Sequence, residues 1–260
     1  MLNFHWIARD RNLSVEELKN LSNSLEHLGY KSLLLLVNSN QSDNWIKAAH
    51  AINPQHKLKY LVALRPYMIS ATLCSMMVKG FNEISPNRLS FNIVSGQILE
   101  DERPPEKVFG VDTDINDKYE RLMYIEKFLE DLYKILPEEE RPEVVVGTGN
   151  KKAIDIAKRY TDISLCMYDD FKKNDLSFFK KRMVSIHVLL RDTEDEADKA
   201  MLKFKGTRQA ENIIYGTKES VINKILKLED EGITDVLISI THEESDPQKI
   251  YEIVKDIPKN

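Results

Sequence analysis

The chain has 260 residues, of which 42% are hydrophobic and 30% are charged, and its formal net charge is −5 at pH 7. This length suits one large domain or two small ones, and the negative charge argues against a nucleic-acid-binding protein, which usually presents a basic face. Two cysteines are too few for a disulfide framework, and we find neither a signal peptide nor an apolar run approaching the ~18 residues of a membrane helix, so we expect a cytoplasmic protein that binds no membrane.

Apolar runs alternate with amphipathic stretches from the start of the chain. A short aromatic-rich strand is predicted over residues 3–7, and Ser14 is a suitable cap for a helix over residues 15–28. Residues 31–37 are almost continuously apolar, which is typical of a strand in a parallel sheet that is covered on both faces. After a polar loop, apolar residues at helical spacing predict a helix over residues 43–52.

Residues 57–96 form the clearest structural unit. An alternating strand ends at Arg65 and Pro66, because proline cannot continue a ladder of backbone hydrogen bonds. Ser70 then caps a helix, and a second strand follows. Two strands joined through a helix are parallel, so this stretch predicts one βαβ unit. Its predicted elements are a strand over residues 58–64, a helix over 71–84 and a strand over 88–94.

The rest of the chain repeats this alternation after a polar loop over residues 97–116, which is long enough to be functional or disordered. The predicted elements are a helix over 117–136, a strand over 143–146, a helix over 151–160, a strand over 163–167, a partly helical segment over 170–182, a strand over 183–190, a helix over 193–205, a turn over 215–217, a helix over 219–231, a strand over 235–240 and a helix over 247–257.

About eight strands alternating with about eight helices, without a break in composition, predict a single (β/α)₈ TIM barrel domain over residues 1–260. An open, doubly wound sheet is the alternative. No G-x-G-x-x-G follows the first strand, which weakens a dinucleotide-binding version of that alternative.

In a barrel of this type the functional site lies at the carboxyl ends of the strands. The residues predicted there are mostly neutral hydrogen-bonding groups, with no Ser/His/Asp arrangement, no paired carboxylates and no Cys/His cluster at metal-ligand spacing. Hydrolysis and metal catalysis are therefore poorly supported, whereas a redox cofactor needs only such a lining. These residues are Asn38, Ser39, Gln41, Arg65, Asn92, Ser95, Gln97, Thr148, Gly149, Asn150, Tyr168, Asp169, His187, Ser239, Thr241 and His242.

The turn Gly147, Thr148, Gly149 and Asn150 follows a strand and opens a helix, where free backbone N–H groups bind phosphate. An ordinary strand-to-helix turn with Asn150 as the cap is the alternative interpretation. A second candidate for a phosphate site is the stretch 216–217, since many barrels bind phosphate near their last two strands.

The segment VALRPYMISATLCSMMVKGFNEISPNRLSFNIVSG, residues 62–96, resembles the third and fourth strands of the bacterial luciferase-like flavin monooxygenases. The alkanesulfonate monooxygenase type is the most similar, with A-L-R-P, a helix and then S-x-x-R-x-x-x-N-x-V-[TS]-G. The stretch S-I-H-V-L-L-R-D-T-E-D-E-A, residues 185–197, is similar to that family's R-x-H-V-x-x-R-E-T-x-x-E-A. The resemblance implies an enzyme that oxidises a small organic substrate with O₂ and reduced FMN, which a separate flavin reductase supplies.

The resemblance also implies roles for individual residues. His187 would face the active site and orient or protonate the activated oxygen, with Arg65 and His242 as further catalytic candidates. From its strand alone, His187 is better interpreted as a hydrogen-bonded core histidine. For His242, a solvated loop residue is an equal alternative. Cofactor-binding roles fall to Asn92, Ser95, Tyr119, Gly147, Thr148, Gly149 and Asn150.

Several departures from the family pattern keep alternatives open. Gln41 stands at a position that is often cysteine, Ser185 replaces an arginine, and the family's H-x-x-R-Y reads I-N-D-K-Y, keeping only Tyr119. The lid insertion after the seventh strand is nearly absent, with residues 206–214 and Arg208 as its remnant. A non-catalytic flavin-binding barrel and an F420-dependent oxidoreductase are therefore alternatives. The apolar helix over 71–84 predicts a homodimer, since relatives pair through helices in this region; ordinary packing of this helix on the barrel is the alternative.

Overall fold

The computed structural model describes residues 1–8, 13–37, 42–96, 117–240, 249–250 and 253–257. Several predicted features lie outside these residues: the loop over 97–116 and the rim residues Asn38, Ser39, Gln41, Gln97, Thr241 and His242.

The described residues form nine β-strands, each parallel to its neighbours. They are β1 (Asn3–Ala8), β2 (Ser32–Leu35), β3 (Lys59–Leu64), β4 (Leu89–Ile93), β5 (Glu143–Gly147), β6 (Ile163–Met167), β7 (Lys181–Leu190), β8 (Ile213–Gly216) and β9 (Asp235–Ile240).

Eight of these strands close into a barrel. Strands β1 to β7 pair in chain order, and β9 pairs with both β7 and β1, which completes the ring. The predicted (β/α)₈ barrel is thus confirmed, and the alternative of an open sheet is wrong. Closure brings the carboxyl ends of all eight strands to one rim, where TIM barrels place their active sites.

The extra strand β8 corrects the prediction of a turn over residues 215–217. It pairs with the end of β7, from His187 opposite Ile213 to Leu190 opposite Gly216, and takes no part in closing the barrel. The apolar residues before Gly216 lie against the part of β7 that extends beyond its pairing with β6. Strand β7 is 10 residues long and begins at Lys181. Its first residues therefore replace the end of the segment over residues 170–182 that was predicted as partly helical.

The helices pack around the barrel and begin at the predicted caps. Ser14 forms a capping box with Glu17, and Ser70 accepts a hydrogen bond from the backbone N–H of Leu73. No helix in the described part of the chain has the length and apolar character needed to cross a bilayer. The helices are α1 (Val15–Leu28), α2 (Asn44–Ala51), α3 (Ala71–Ile84), α4 (Lys118–Ile135), α5 (Lys151–Tyr160), α6 (Tyr168–Lys173), α7 (Glu194–Met201), α8 (Lys218–Asp230) and α9 (Ile253–Asp256).

Two apolar cores explain why the strands read as nearly continuous apolar runs. Successive side chains of a strand point to opposite faces, so each strand serves both the barrel interior and the layer under the helices. On β2, Leu34 packs in the interior, whereas Leu33 and Leu35 pack under the helices. The interior core consists of Ile7, Leu34, Leu61, Ala63, Val145, Ile163, Leu165, Met183 and Leu237.

Candidate active site

His187 lies on β7 and is only 4% exposed. Its alternation with Met183 puts it on the inner face of the barrel, and its Nδ1 atom lies 2.6 Å from the hydroxyl of Ser239 on β9. The Ser239 hydroxyl also donates to the carbonyl of Ile186, at 3.2 Å. His187 is therefore a hydrogen-bonded interior residue near the carboxyl end of the barrel, which combines features of both interpretations of the sequence.

Asn92 lies on the inner face of β4, level with Ala63 on β3 and Val145 on β5. The residue is 5% exposed, and its enclosed Oδ1 atom has no hydrogen-bond partner within the described part of the chain. Buried polar atoms in folded proteins almost always have a partner, so an unpaired one indicates a missing water or ligand. The carboxyl half of the barrel thus contains a buried hydrogen-bond acceptor that no described residue uses.

Arg65 and Ser95 lie beyond the ends of β3 and β4, and Gly96 joins them into a close-packed rim. Gly96 has a left-handed backbone, with φ at +67°. A Cβ atom at this position would lie 2.8 Å from Nε of Arg65 and 3.0 Å from the hydroxyl of Tyr67. Only glycine meets both conditions, because other residues strain at positive φ and would displace the arginine.

Both polar side chains of the turn after β5 have hydrogen-bond partners within the protein. Both the backbone N–H and the hydroxyl of Thr148 donate to the carbonyl of Leu165, at 2.7 and 3.1 Å. The side chain of Asn150 accepts from the N–H of Ala153 and caps α5, as the simpler interpretation predicted. A Cβ atom on Gly149 would lie 3.2 Å from a carboxylate oxygen of Asp170. Thr148 therefore has no donor left for a phosphate group.

A cation and an aromatic ring lie together near this turn. The ammonium group of Lys152, on the first turn of α5, is 3.0 Å from the ring centroid of Tyr119 and 3.1 Å from the sulfur of Met123. Tyr119 is 60% exposed on the first turn of α4. The two predicted cofactor-binding regions, Tyr119 and the turn after β5, are thus neighbours in space, and Lys152 adds a positive charge that was not among the predicted site residues.

The second phosphate candidate, at the start of α8, already binds a carboxylate. The N–H and the hydroxyl of Thr217 both donate to Oε1 of Glu194, each at 3.0 Å. The backbone hydrogen bond from Thr217 is the main reason that the pKa of Glu194 lies below its ordinary value. An internal anion therefore occupies the position at which a phosphate group would bind.

The side chains directly after β6 bind other residues of the protein. The hydroxyl of Tyr168 donates to Glu231 at 2.8 Å, and burial together with this carboxylate raises the pKa of Tyr168 to about 12. Asp169 pairs with Lys173 at 2.7 Å, which holds the pKa of the carboxyl below its ordinary value. Arg208 binds both carboxylate oxygens of Asp170 at 2.9 Å, so the segment that contains Arg208 is tied to α6.

The amino-terminal half of the barrel contains a Ser/His/Asp arrangement that no local sequence pattern indicates. Nδ1 of His5 lies 2.7 Å from the hydroxyl of Ser32, and Nε2 lies 2.9 Å from a carboxylate oxygen of Asp235. The three residues are buried on the adjacent strands β2, β1 and β9. Alternation of side chains along each strand predicts that all three residues point into the barrel. Only closure of the barrel makes the first and last strands neighbours.

An ionic cluster lies at the same end of the barrel. Glu143 on β5 binds the ammonium groups of Lys59 on β3 and Lys181 on β7. Burial raises the pKa values of Glu143 and Asp235, but hydrogen bonds from Lys181 to the first, and from His5 and Thr234 to the second, outweigh burial and bring both below their ordinary values. Within the described ranges no group of three or more His, Cys, Asp or Glu residues could hold a metal ion.

No protein-family model matches the chain. Several solved structures share its fold at low sequence identity. The F420-dependent tetrahydromethanopterin reductase of Methanopyrus kandleri is 13% identical, with a TM-score of 0.70 over 98% of this chain and 96% of that one. EDTA monooxygenase from Chelativorans sp. BNC1 is 12% identical, with a TM-score of 0.70 over 98% and 92%.

A third structure is the oxygenating constituent of 3,6-diketocamphane monooxygenase from Pseudomonas putida, in complex with FMN. It is 15% identical, with a TM-score of 0.67 over 98% of this chain and 96% of that one. At such identities the likeness establishes the fold, and it does not single out the alkanesulfonate type. The chain therefore shares the closed (β/α)₈ barrel fold of these solved structures over nearly its whole length.

Proposed function

We propose that this protein is an oxidoreductase that binds a reduced flavin or deazaflavin cofactor in the carboxyl mouth of its barrel. Within that class we propose a monooxygenase that receives FMNH₂ from a separate reductase in the cytoplasm and acts with O₂ on a small organic substrate. The unpaired acceptor of Asn92 is the observation that carries the proposal. The neighbours described above, which include an FMN complex and an F420-dependent reductase, support the cofactor class.

Asn92 suits the polar edge of such a ring system. Its amide oxygen is an acceptor, and reduced flavin and F420 both present ring N–H donors. The side chains level with it, Ala63 and Val145, are apolar and small or medium-sized, which suits the flat face of a ring. When bound, reduced FMN supplies the electrons that activate O₂, whereas reduced F420 would supply a hydride.

The phosphate of the cofactor would lie at the amino end of α5. The hydroxyl of Thr148 already donates to Leu165. The phosphate would therefore be bound by backbone N–H groups of the turn Gly147–Asn150 and by Lys152 beside Tyr119. Asp170 repels an anion at Gly149, and its pairing with Arg208 offsets this repulsion. This arrangement replaces the histidine and arginine that the family pattern has before Tyr119.

The other residues predicted for the site would act on the substrate and the cofactor ring. We propose that His187 transfers or holds a proton beside the reacting atoms and that Arg65, packed on Gly96, orients a negatively polarised oxygen. Ser95 would bind the ring edge from the end of β4. His242 lies beyond the described residues and stays a catalytic candidate on the basis of the sequence.

Anaerobic titration with FMNH₂ and, in parallel, with reduced F420 tests the cofactor. Saturable binding of FMNH₂ supports the first choice, and binding of F420 alone would select the alternative. Absence of binding of either at about 1 mM, which corresponds to only about −4 kcal/mol, would refute the proposal.

The variant Asn92→Leu tests the site without relying on turnover. Replacing an unpaired buried acceptor by an apolar group removes a desolvation penalty, so the free energy of unfolding should rise by about 1–3 kcal/mol. The affinity for the cofactor should fall by roughly ten-fold to a hundred-fold, because the bound ring loses its partner. Ser90→Ala is the matched control, since Ser90 also has a buried unpaired oxygen and lies two residues nearer the amino end of β4. The control should gain stability and keep its affinity.

Oxygen consumption separates an enzyme from a cofactor-binding barrel. With a flavin reductase and NADH present, a monooxygenase should consume O₂ and insert oxygen into a substrate. The short remnant of the lid favours the non-catalytic alternative, because a reaction that must exclude water usually needs a cover. Release of all reducing equivalents as H₂O₂ with every substrate class offered would favour that alternative.

We also propose a homodimer formed through α2 and α3. Leu73 and Met76 on α3 are 51% and 64% exposed, and Ile46 on α2 is 71% exposed. Leu73 and Ile46 line a groove of about 380 Å³ between the two helices. Light scattering should show a dimer that Leu73→Glu dissociates. Leu202→Glu is the matched control. Leu202 is 65% exposed but is not on α2 or α3, so this variant should remain a dimer. A monomer at every concentration of the unmodified protein would contradict the proposal.

A further inference from the structure

Charge is distributed unevenly along the inside of the barrel. Side chains alternate along each strand, so a residue two positions away from an interior core residue also points inward. By this rule four ionised residues point inward at the amino end, each two positions before a residue of the interior core. They are Lys59, Glu143, Lys181 and Asp235.

The carboxyl half of the inner face is uncharged along β3 to β7 and β9, within the residues that the structure describes. Besides His187, the inward residues there include Ala63, Asn92, Val145, Met167, Ser185 and Ser239. Arg65 lies beyond the end of β3, four strands from β7 in the ring of eight and so on the opposite wall. A charged group placed beside β7 would lose its water without gaining an opposite charge, which is costly.

Ser185 lies on this uncharged wall, two residues before His187 on the inner face of β7. It is 8% exposed. Its neighbours in register are Met167 on β6 and Leu237 on β9, whose side chains are a thioether and a hydrocarbon. The Ser185 hydroxyl makes no hydrogen bond with any described residue. A hydroxyl in such surroundings suits a ligand that brings its own hydrogen-bonding atom.

We propose that Ser185 is a specificity-determining residue that donates a hydrogen bond to one oxygen of an uncharged substrate, whose apolar part packs on Met167. A small ketone, aldehyde or alcohol has this combination, whereas a sulfonate or carboxylate does not. As a statement about the substrate this rests on the function proposed above, which places the reacting atoms beside His187. The preference of the wall for an uncharged group rests on its lining alone.

Cyclohexanone and cyclohexanecarboxylate are suitable probes, because they share a six-membered ring and differ in charge. Their affinities are measured by saturation-transfer NMR titration at pH about 7.5, where the carboxylate is ionised. The titrations use the cofactor-free protein and, without oxygen, the protein loaded with FMNH₂. The unmodified protein should bind the ketone about ten-fold more tightly than the carboxylate.

Variants of two serines on neighbouring strands assign this preference to Ser185. Ser185→Ala should weaken the binding of cyclohexanone by about five-fold to ten-fold, because the ketone loses its donor. Ser164→Ala is the matched control. Ser164 also has a buried unpaired oxygen, but it lies between the interior residues Ile163 and Leu165 and so faces the helices. This control should keep the affinity for the ketone.

Ser185→Arg adds a cation to the wall and should reverse the preference, so that the carboxylate binds more tightly than the ketone. Circular dichroism shows whether this larger side chain is accommodated. If the arginine variant does not fold, the comparison of Ser185→Ala with Ser164→Ala decides by itself.

Tighter binding of the carboxylate than of the ketone by the unmodified protein would overturn the proposal. An unchanged affinity for cyclohexanone in Ser185→Ala would do the same, as would absence of its binding at about 10 mM. The probes do not report on cofactor affinity. Failure of FMNH₂ to bind would therefore refute the proposed function and leave the preference of the wall measurable, and failure of the probes would leave cofactor binding intact.

Discussion

Replacement of Gly96 by alanine would test how the rim at β3 and β4 is built. Gly96 combines a left-handed backbone, φ +67°, with close approach to Arg65 and Tyr67. Gly206 offers a matched control, because its backbone is also left-handed, φ +80°, while a Cβ atom there would meet no other atom within 4 Å.

The expected magnitudes follow from this difference. A left-handed conformation costs a residue with a Cβ atom about 1–2 kcal/mol, and both variants should lose that much stability. Only Gly96→Ala also forces a new atom to 2.8 Å from Nε of Arg65. Overpacking of this kind adds about 1–3 kcal/mol, so Gly96→Ala should lose roughly 2–5 kcal/mol in all.

Urea unfolding measures both variants against the unmodified chain. Equal dependence of the free energy of unfolding on urea concentration is required, since otherwise the variants differ in more than stability. In the cofactor titration Gly96→Ala should also bind more weakly, because Arg65 must move, and Gly206→Ala should bind normally. Equal losses of stability in the two variants would show that the rim tolerates the new atom and that the reasoning is wrong.

Three further results are expected. The pKa values of Asp235 and Glu143 lie below the ordinary 3.8 and 4.5, so the stability they add is present above those values and is lost as the pH falls through the lowered pKa values. The urea midpoint should therefore drop below pH about 4.5, less steeply in Asp235→Asn than in the unmodified chain. Burial raises the pKa values of Cys74 and Cys166 to about 12. Neither thiol should therefore react with a disulfide reagent at pH 8 until the protein unfolds. Rapid labelling of the native state would contradict their burial. Tyr168, with its pKa raised to about 12, should ionise later than the exposed tyrosines, as the ultraviolet difference between the unmodified chain and Tyr168→Phe would show.

Local sequence determined most of the secondary structure. The predicted helices α1, α3 and α5 begin and end where the structure has them, because a capping side chain and an amphipathic repeat are both local signals. The short strand β8 was not predicted, because it is a strand only through its pairing with the carboxyl end of β7. The strand pattern also placed Arg65 and Asn92 at the carboxyl ends of β3 and β4, where the structure has them.

Tertiary structure decided which of the candidate groups are available to a ligand. Thr148 and Thr217 look alike in sequence as phosphate-binding residues, yet the first donates to Leu165 and the second to Glu194. The partners lie 17 and 23 residues away, and no local pattern predicts them.

The sequence by itself determined that parallel strands alternate with helices and that their carboxyl ends carry mostly neutral polar groups. Only the closed barrel decided that His5 meets Asp235, that His187 meets Ser239 and that Asn92 keeps an unpaired oxygen. The physical reason is that alternation along a strand fixes the direction of a side chain, whereas closure of the ring fixes its neighbours.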